Sequence, residues 1–142
     1  MALKIYFAGS IRGGREDAEL YFRLVEILKG YGTVLTEHVA NQGMLDSEKD
    51  ISDKSIHDRD LSWLEDCDAL VAEVTQTSLG VGYEIGRAVP MGKKILCLYR
   101  PTPGKRLSAM IRGAHDGKKF VVKEYKEEEA AGILKEFFAD MK

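Results

Sequence analysis

Apolar residues recur along the chain at two kinds of spacing, one typical of strands and one typical of helices. Short runs of strand-forming residues, bounded by glycine or polar residues, predict β-strands at residues 4–8, 33–36, 69–74, 94–99 and 119–122. Apolar residues three or four apart, such as Leu20, Leu24 and Leu28, indicate helices between the strands. The predicted helices span residues 14–29, 55–66, 82–91, 107–112 and 127–141. Residues 40–54 are polar and acidic without a clear period, so we expect a mobile loop there.

Strands that alternate with helices at this density favour right-handed crossovers and a parallel sheet. We therefore predict the α/β class, with a single Rossmann-like (flavodoxin-like) domain over residues 1–142. Its five-stranded parallel sheet would carry helices on both faces. Ligands of such sheets bind beyond the carboxyl ends of the strands. The loops expected at that edge span residues 9–15, 37–39, 75–84 and 100–108, and all contain residues able to bind an anion or to do chemistry.

Length and composition fit one soluble domain. The chain has 142 residues, of which 44% are hydrophobic and 31% charged, and its apolar runs are too short to span a bilayer. The amino-terminal segment leads directly into a predicted strand and lacks the pattern of a secretory signal. Cys67 and Cys97 sit among apolar residues, as expected of unreactive core thiols. We expect a protein of the cytoplasm, the nucleus or both, with no membrane partner.

The charge pattern bears on possible partners. The net charge is −2, the pI is about 5.9, and no basic run exceeds two residues. We therefore expect no nucleic-acid polymer as a partner. A small anionic ligand stays open, because it needs only a local arginine and backbone donors.

The first loop, GSIRGGR, suits a phosphate group. It joins a strand to the start of a helix, where backbone N–H groups and the helix dipole favour an anion, and Ser10 and Arg12 add donors. It matches neither the dinucleotide fingerprint nor the nucleotide phosphate loop. The alternative is a glycine-rich turn with a solvated arginine.

The third loop contains SLGVGYEIG, in which Glu84 is the single charged residue. We expect Gly80 and Gly82 to allow a sharp turn before a helix, with Glu84 in its first turn. That glutamate either complements the helix dipole or acts as a nucleophile toward a sugar carbon, as carboxylates do in retaining glycosidases. The second reaction requires another carboxyl group. Asp58 and Asp60 are the candidates, although either could be a solvated helix residue.

Two further features concern the crevice. His38 ends the second predicted strand and could line it, whereas no spacing of histidine and cysteine suggests a metal site.

Several segments together resemble a known family. The segments are YFAGSIRGGRED, LTEHV, Asp60 with Trp63 and Leu64, EVTQTSLGVGYEIGRA and LSAMIRGA. Between residues 4 and 120 they are similar to the nucleoside 2-deoxyribosyltransferase family, and within it to N-glycosidases of 2'-deoxynucleoside 5'-monophosphates. The resemblance implies hydrolysis of such a nucleotide, with a purine such as that of dGMP, to free base and 2-deoxyribose 5-phosphate. It implies no metal and no organic cofactor.

The resemblance also implies roles for individual residues. Glu84 would attack C1' and form a covalent deoxyribosyl intermediate, Asp60 would act as general acid toward the departing base, and Tyr6 would orient the nucleophile. The substrate-binding residues would be Gly9, Ser10, Ile11, Arg12, His38, Ser78, Gly80 and Ser108. Of these, Ser10, Arg12 and Ser78 would bind the 5'-phosphate with backbone groups near Gly9 and Ile11, and His38 and Ile11 would lie near the base. Ser108 would complete the phosphate site of the neighbouring subunit in a homodimer.

The residue type at Ser78 distinguishes the two activities that the resemblance allows, hydrolysis of a nucleotide and transfer from a nucleoside. The related transferases carry an aspartate at this place, which contacts the sugar 5'-hydroxyl and would repel a phosphate, whereas serine can donate to one. The sequence departs from relatives mainly at Thr77, where proline is frequent, and in residues 40–54. A deoxyribosyltransferase is the alternative enzyme. A deoxynucleotide-sensing module would lack the carboxylates, and a phosphoribohydrolase of the cytokinin-activating type shares only the final glutamate of its PGGxGTxxE pattern.

Overall fold

The computed structural model of the protein describes residues 2–10, 17–37 and 51–141. The strands are β1 (Leu3–Ala8), β2 (Gly32–Val34), β3 (Ala69–Glu73), β4 (Lys94–Tyr99) and β5 (Phe120–Glu124). The helices are α1 (Ala18–Leu28), α2 (Asp53–Asp66), α3 (Leu79–Ala88), α4 (Ala109–Arg112) and α5 (Ala130–Phe138). A 3-10 turn, Glu127–Glu129, precedes α5.

The five strands form one parallel sheet in the order β2-β1-β3-β4-β5. This order and the helices confirm the predicted α/β, flavodoxin-like class. The chain leaves β1 toward β2 on one side and returns to β3 on the other, so the order reverses between β1 and β3. A crevice is expected beyond the carboxyl ends of these two strands, where the loops diverge.

Successive side chains of β1 enter opposite layers of the core. Ile5 and Phe7 pack in a cluster with apolar residues of α1 and α5. Tyr6 and Ala8 belong to the other cluster, which contains Val81 and Ile85 of α3 and Leu64 of α2. The period of two along a strand therefore directs Tyr6, although fully buried, toward the helices that carry Asp60 and Glu84.

The start of α2 corrects the predicted loop. The helix begins at Asp53, so Asp53 and Lys54 are helical and not part of a mobile segment. Ser52 caps the helix, since its side chain accepts a hydrogen bond from the N–H of Ser55 at 3.1 Å. Asp53 adds an acidic group to the first turn, where the helix dipole favours it. Residues 40–50, and residues 14–16 at the predicted start of α1, lie outside the described residues.

The start of α3 shows that the expected sharp turn at Gly80 and Gly82 is wrong. Ser78 caps α3, its side chain accepting from the N–H of Val81 at 3.2 Å, and the helix begins at Leu79. Both glycines are therefore helical, and neither has a positive φ. Glu84 lies in the second turn of α3 and not in the first, because a serine cap outweighs the low helix propensity of glycine.

The two cysteines are buried and free, as expected. Burial raises the pKa of the Cys67 thiol to about 11 and that of Cys97 to about 12, so both stay protonated and unreactive near neutral pH. In residues 2–10, 17–37 and 51–141, no helix combines the length and apolar character needed to cross a membrane.

Candidate active site

A cavity of about 560 Å3 opens at the carboxyl ends of β1 and β3, between α2 and α3. Its volume is in the range of small-ligand sites. The structure brings together five of the predicted residues in its lining, which are Gly9, Asp60, Ser78, Gly80 and Glu84. Tyr6 is not in the lining itself, but it contacts the lining residue Glu84 through a hydrogen bond.

Tyr6 and Glu84 form a hydrogen-bonded pair. The Tyr6 hydroxyl donates to Oε2 of Glu84, from a ring that is 1% exposed. Burial, followed by the negative charge of Glu84, raises the pKa of Tyr6 far above its usual value. Tyr6 therefore keeps its proton near neutral pH and donates a hydrogen bond to Glu84.

Glu84 titrates near neutrality. Burial raises its pKa to about 7, the charge of Asp60 adds to the rise, and the hydrogen bond from Tyr6 opposes it. A helix residue that only complements a dipole has no such environment. Near neutral pH this carboxyl group is thus divided between its protonated and ionised forms.

Asp60 is distinguished from Asp58 by its surroundings. Asp60 lines the cavity, and its Oδ1 accepts from Nε of Arg59 at 2.9 Å. Arg59 in turn lies over the Trp63 ring, 4.8 Å from its centroid. Asp58 faces solvent and pairs with Lys54 at 3.0 Å. Of the two candidates, Asp60 lines the cavity together with Glu84, and Asp58 does not.

The end of β1 brings a buried serine to the edge of the sheet. Ser10 is 0% exposed, and within the described part of the chain its Oγ finds no hydrogen-bond partner. Its N–H donates to the Tyr21 hydroxyl at 3.1 Å. The Tyr21 ring explains the glycine before it, since a Cβ at Gly9 would lie 2.8 Å from a ring carbon. The Ser10 hydroxyl is thus a buried donor without a partner among the described residues, and Ser10 is not in the lining of the cavity.

Of the other predicted binding residues, Ser108 lies away from the cavity and Gly80 lines it, while three lie outside the described residues. Ser108 caps α4 by accepting from the N–H of Met110 at 3.2 Å, and it is not in the lining of the cavity. Gly80 does line it, and a Cβ there would approach only Ser78 Oγ, at 3.9 Å. Ile11, Arg12 and His38 lie outside the described residues.

Sequence reasoning missed one side of the cavity. Asp53, Ile56 and His57 of α2, and Tyr83 of α3, also line it. Nε2 of His57 lies 2.8 Å from the Tyr83 hydroxyl, which accepts from Arg87 at 2.6 Å. The spacing of α2 held the signal, because residues seven and three positions before Asp60 share its helix face. Among the described residues, no group of three or more acidic, histidine or cysteine side chains is arranged to hold a metal ion.

Comparisons with known proteins agree with this arrangement. The model of the family described as nucleoside 2-deoxyribosyltransferase matches residues 5–120. A 5-hydroxymethyl-dUMP N-hydrolase of Tetraodon nigroviridis is 56% identical over 142 residues, covering 99% of this chain and 100% of the relative. The protein of the same name from Homo sapiens is 57% identical over 136 residues, covering 94% of this chain and 78% of the relative.

A solved structure, the CMP N-glycosidase of Clostridium botulinum, superposes with a TM-score of 0.63. The superposition covers 92% of this chain and 97% of the other, at 21% sequence identity. At that identity the likeness concerns the fold.

Proposed function

The chain belongs to the nucleoside 2-deoxyribosyltransferase family, and from this membership we propose that it hydrolyses the N-glycosidic bond of 2'-deoxynucleoside 5'-monophosphates. The observation that carries the proposal is the hydrogen bond from buried Tyr6 to Glu84, which lines a ligand-sized cavity together with Asp60. Relatives named as N-hydrolases of a deoxynucleotide support the same reaction. The products would be free base and 2-deoxyribose 5-phosphate.

In the proposed first step, ionised Glu84 attacks C1' of the sugar and forms an ester bond to it. In the reactive form, the proton that Glu84 and Asp60 share lies on Asp60. The C1'–N bond breaks, its electron pair moves to the base nitrogen, and that nitrogen takes this proton. Arg59, which donates to Asp60, stabilises the carboxylate left behind. In the second step water gives its proton to Asp60 and attacks C1', which releases the sugar phosphate and restores Glu84.

Tyr6 prepares Glu84 for this reaction. The raised pKa of Glu84 shows that burial and Asp60 favour its protonated form, whereas attack needs the carboxylate. The hydrogen bond from Tyr6 acts in the required direction, since it stabilises the ionised form. It also fixes one carboxylate oxygen, so that the other can face the substrate.

The 5'-phosphate would lie against Ser10 and Ser78. Both Oγ atoms carry a hydrogen that the described protein groups leave available: Ser10 lacks a partner, and Ser78 uses its oxygen as acceptor in capping α3. The backbone N–H groups at the start of α3 add donors for an anion. Arg12, within the loop that follows Ser10, is proposed as the charged partner of the phosphate.

A homodimer would complete the site. Leu79 is 94% exposed and Met110 83% exposed, and these two apolar side chains lie next to Ser78 and Ser108. We propose that a second copy covers them and supplies its Ser108 to the phosphate.

Two bases are considered for the substrate. The sequence resemblance favours a purine such as that of dGMP, whereas the names of the relatives point to 5-hydroxymethyl-dUMP. Asp53, His57 and the Tyr83 hydroxyl give the cavity partners for a polar base substituent, which favours the second substrate. No metal or organic cofactor enters the proposed reaction, and the free buried cysteines suit the reducing cytoplasm or nucleus.

The test is release of free base from 5-hydroxymethyl-dUMP, dGMP, GMP and deoxyguanosine. We expect turnover of one or both deoxynucleotides and little of the other two. Glu84→Gln should lower kcat by at least about a thousandfold, because loss of a covalent nucleophile removes several kcal/mol of transition-state stabilisation. Glu136→Gln, on the exposed side of α5, is the control and should retain wild-type kcat.

Addition of adenine to the same assay separates the alternatives. Transfer of the sugar to adenine would identify a deoxyribosyltransferase and overturn the proposed role of Ser78. Binding of a deoxynucleotide without turnover would indicate a sensing module. The carboxylates Glu84 and Asp60, both present in the cavity, argue against that second alternative.

A further inference from the structure

A second polar network lies beside the cavity and is centred on Glu73, the last residue of the central strand β3. The Glu73 side chain is 0% exposed. Its carboxylate accepts from the N–H of Thr75 at 2.8 Å, from Oγ1 of Thr75 at 3.0 Å, from Nε of Arg100 at 3.0 Å and from the Tyr125 hydroxyl at 2.6 Å. A buried carboxylate is retained at a desolvation cost, and this one is satisfied by groups from three loops or strand ends.

Arg100 extends the network to the start of α1. Its guanidinium donates to Oδ2 of Asp17 as well as to Glu73, and its backbone N–H donates to Oγ1 of Thr75 at 2.9 Å. The Asp17 carboxylate also accepts from Nε2 of Gln76 at 3.4 Å. Asp17 therefore connects the loops that follow β3 and β4.

The use of Asp17 is unusual for its position. It is the residue that precedes α1, and aspartate there ordinarily bonds an N–H of its own helix. Here its side chain makes no capping bond and is occupied by Arg100 and Gln76. Asp17, a residue type that caps helices well, thus makes contacts with other segments of the chain instead.

The network joins the two segments that carry the proposed phosphate donors. Thr75 and Gln76 lead directly to Ser78, which caps α3. On the other side, Asp17 fixes the start of α1, and Tyr21 of α1 holds the backbone of Ser10. A chain of contacts through Glu73 and Arg100 thus connects the segment of Ser10 with the segment of Ser78.

We infer that Glu73 and Arg100 are positioning residues, which hold the loops after β1 and β3 at the separation that a 5'-phosphate requires. Neither residue lines the cavity, nor do Asp17 and Tyr125, so their effect on substrate must pass through the loops. The inference rests on the proposed function, because it assumes that Ser10 and Ser78 bind the phosphate.

The test uses paired variants of the network. Thr75→Val removes the hydroxyl and keeps the side-chain shape, and Thr75→Ser keeps the hydroxyl as its control. Arg100→Gln removes the fork that bridges the two carboxylates, and Arg23→Gln, which breaks an exposed pair with Glu127, is its control. For each we would measure kcat and KM for the deoxynucleotide, the Kd of 2-deoxyribose 5-phosphate by calorimetry, and Tm.

Thr75→Val and Arg100→Gln should each raise KM and Kd by roughly tenfold, which corresponds to about 1.4 kcal/mol. Their kcat values should stay within about threefold of wild type, since the groups around C1' are untouched. Both controls should keep wild-type KM and Kd. If Arg100→Gln does not fold, Thr75→Val decides.

The contrary results are distinct. A lower kcat with unchanged KM would mean that the network only supports folding. Unchanged KM and Kd in Thr75→Val would mean that the network does not position the phosphate donors. Either result overturns the inference. A wild-type protein that binds 2-deoxyribose 5-phosphate without turnover overturns the proposed function, while the Kd comparison still tests the network. A wild-type protein that does neither overturns both.

Discussion

At the scale of single residues, the contact between Tyr6 and Glu84 governs the charge of the proposed nucleophile. Burial raises the pKa of Glu84 to about 7, and the Tyr6 hydroxyl limits that rise. Because attack needs the ionised form, the acidic limb of the kcat/KM profile should rise with pH through this region. The acidic limb of the profile thus reports the environment of one carboxyl group.

Tyr6→Phe should move this limb to higher pH. The variant loses the hydrogen bond that favours the ionised carboxylate, so the pKa of Glu84 rises further and less of it is ionised at pH 7. Activity should therefore fall more at pH 7 than at a pH about two units higher. The measurement is kcat/KM across that range.

Tyr31→Phe is the matched control, since the Tyr31 ring stacks on Phe138 of α5 and has no contact with Glu84. The acidic limb of its kcat/KM profile should coincide with that of the wild type. If Tyr6→Phe lowers activity equally at every pH, the hydroxyl orients Glu84 without influencing its charge.

At the scale of elements, the start of α3 combines a helix cap with a proposed phosphate contact. Ser78 stabilises the helix through the N–H of Val81, and the same Oγ can donate to an anion. Asparagine and aspartate cap helices about as well as serine, but only aspartate brings a charge. The two tasks of Ser78 can thus be separated by substitution.

Ser78→Asp should abolish use of the phosphorylated substrate without unfolding the helix. We expect Tm close to that of wild type and kcat/KM for the deoxynucleotide reduced by at least about a hundredfold, because the carboxylate repels the phosphate at short range. Ser78→Asn, of nearly the same shape, should lose less. Equal losses in the two variants would show that shape and not charge limits the site.

At the scale of the whole molecule, the question is whether one chain makes a complete site. Ser108 caps α4 outside the cavity that contains Glu84. In the proposed homodimer, each cavity combines Glu84 of one copy with Ser108 of the other. A site shared in this way has a consequence that a single-chain site lacks.

Mixing the Glu84→Gln and Ser108→Ala variants should restore low-KM activity. In a mixed dimer, the Ser108→Ala copy keeps its Glu84 and receives an intact Ser108 from its partner, so one site of the two is whole. Ser108→Ala alone should show a KM raised by about tenfold, as for loss of a hydrogen bond to a charged group. The measurement is KM of the mixture after unfolding and refolding together.

Sites confined to one chain would give a mixture whose KM equals that of Ser108→Ala. A monomeric protein by sedimentation would contradict the dimer itself. Met110→Lys, which places a charge on the exposed apolar surface near Ser108, should convert the dimer to monomers and raise KM in parallel.

The fold could be predicted well because its signals are local. The five β runs gave every strand, and β4 was predicted with the bounds that the structure shows. Some ends also differ, since the helix predicted to reach residue 91 ends at Ala88. The errors nearest the cavity fell at helix starts, where a single serine decides the first residue: Ser52 brings Asp53 into α2, and Ser78 brings Gly80 into α3. Glycine alone did not define a turn at that point.

Only some residues of the site could be predicted from the sequence. Asp60 and Glu84 were identified as possible partners by residue type and by family resemblance, but spacing could not show that they share a cavity. Sequence analysis identified neither His57 nor Tyr83 as a site residue, although both line the cavity. The network of Glu73 and Arg100 was also invisible, since its members lie far apart in sequence.

The sequence by itself determined the alternation of strands and helices, the face of β1 on which Tyr6 lies, and the residue types available at the strand ends, because these follow from periods of two and 3.6 residues. Only the tertiary structure decided which of those side chains meet. Packing of α2 and α3 over β1 encloses Glu84 beside Tyr6 and Asp60, and this burial raises the pKa of Glu84 to about 7. A pKa shift of this kind depends on the solvent removed by distant parts of the chain, and that quantity exists only once the chain has folded.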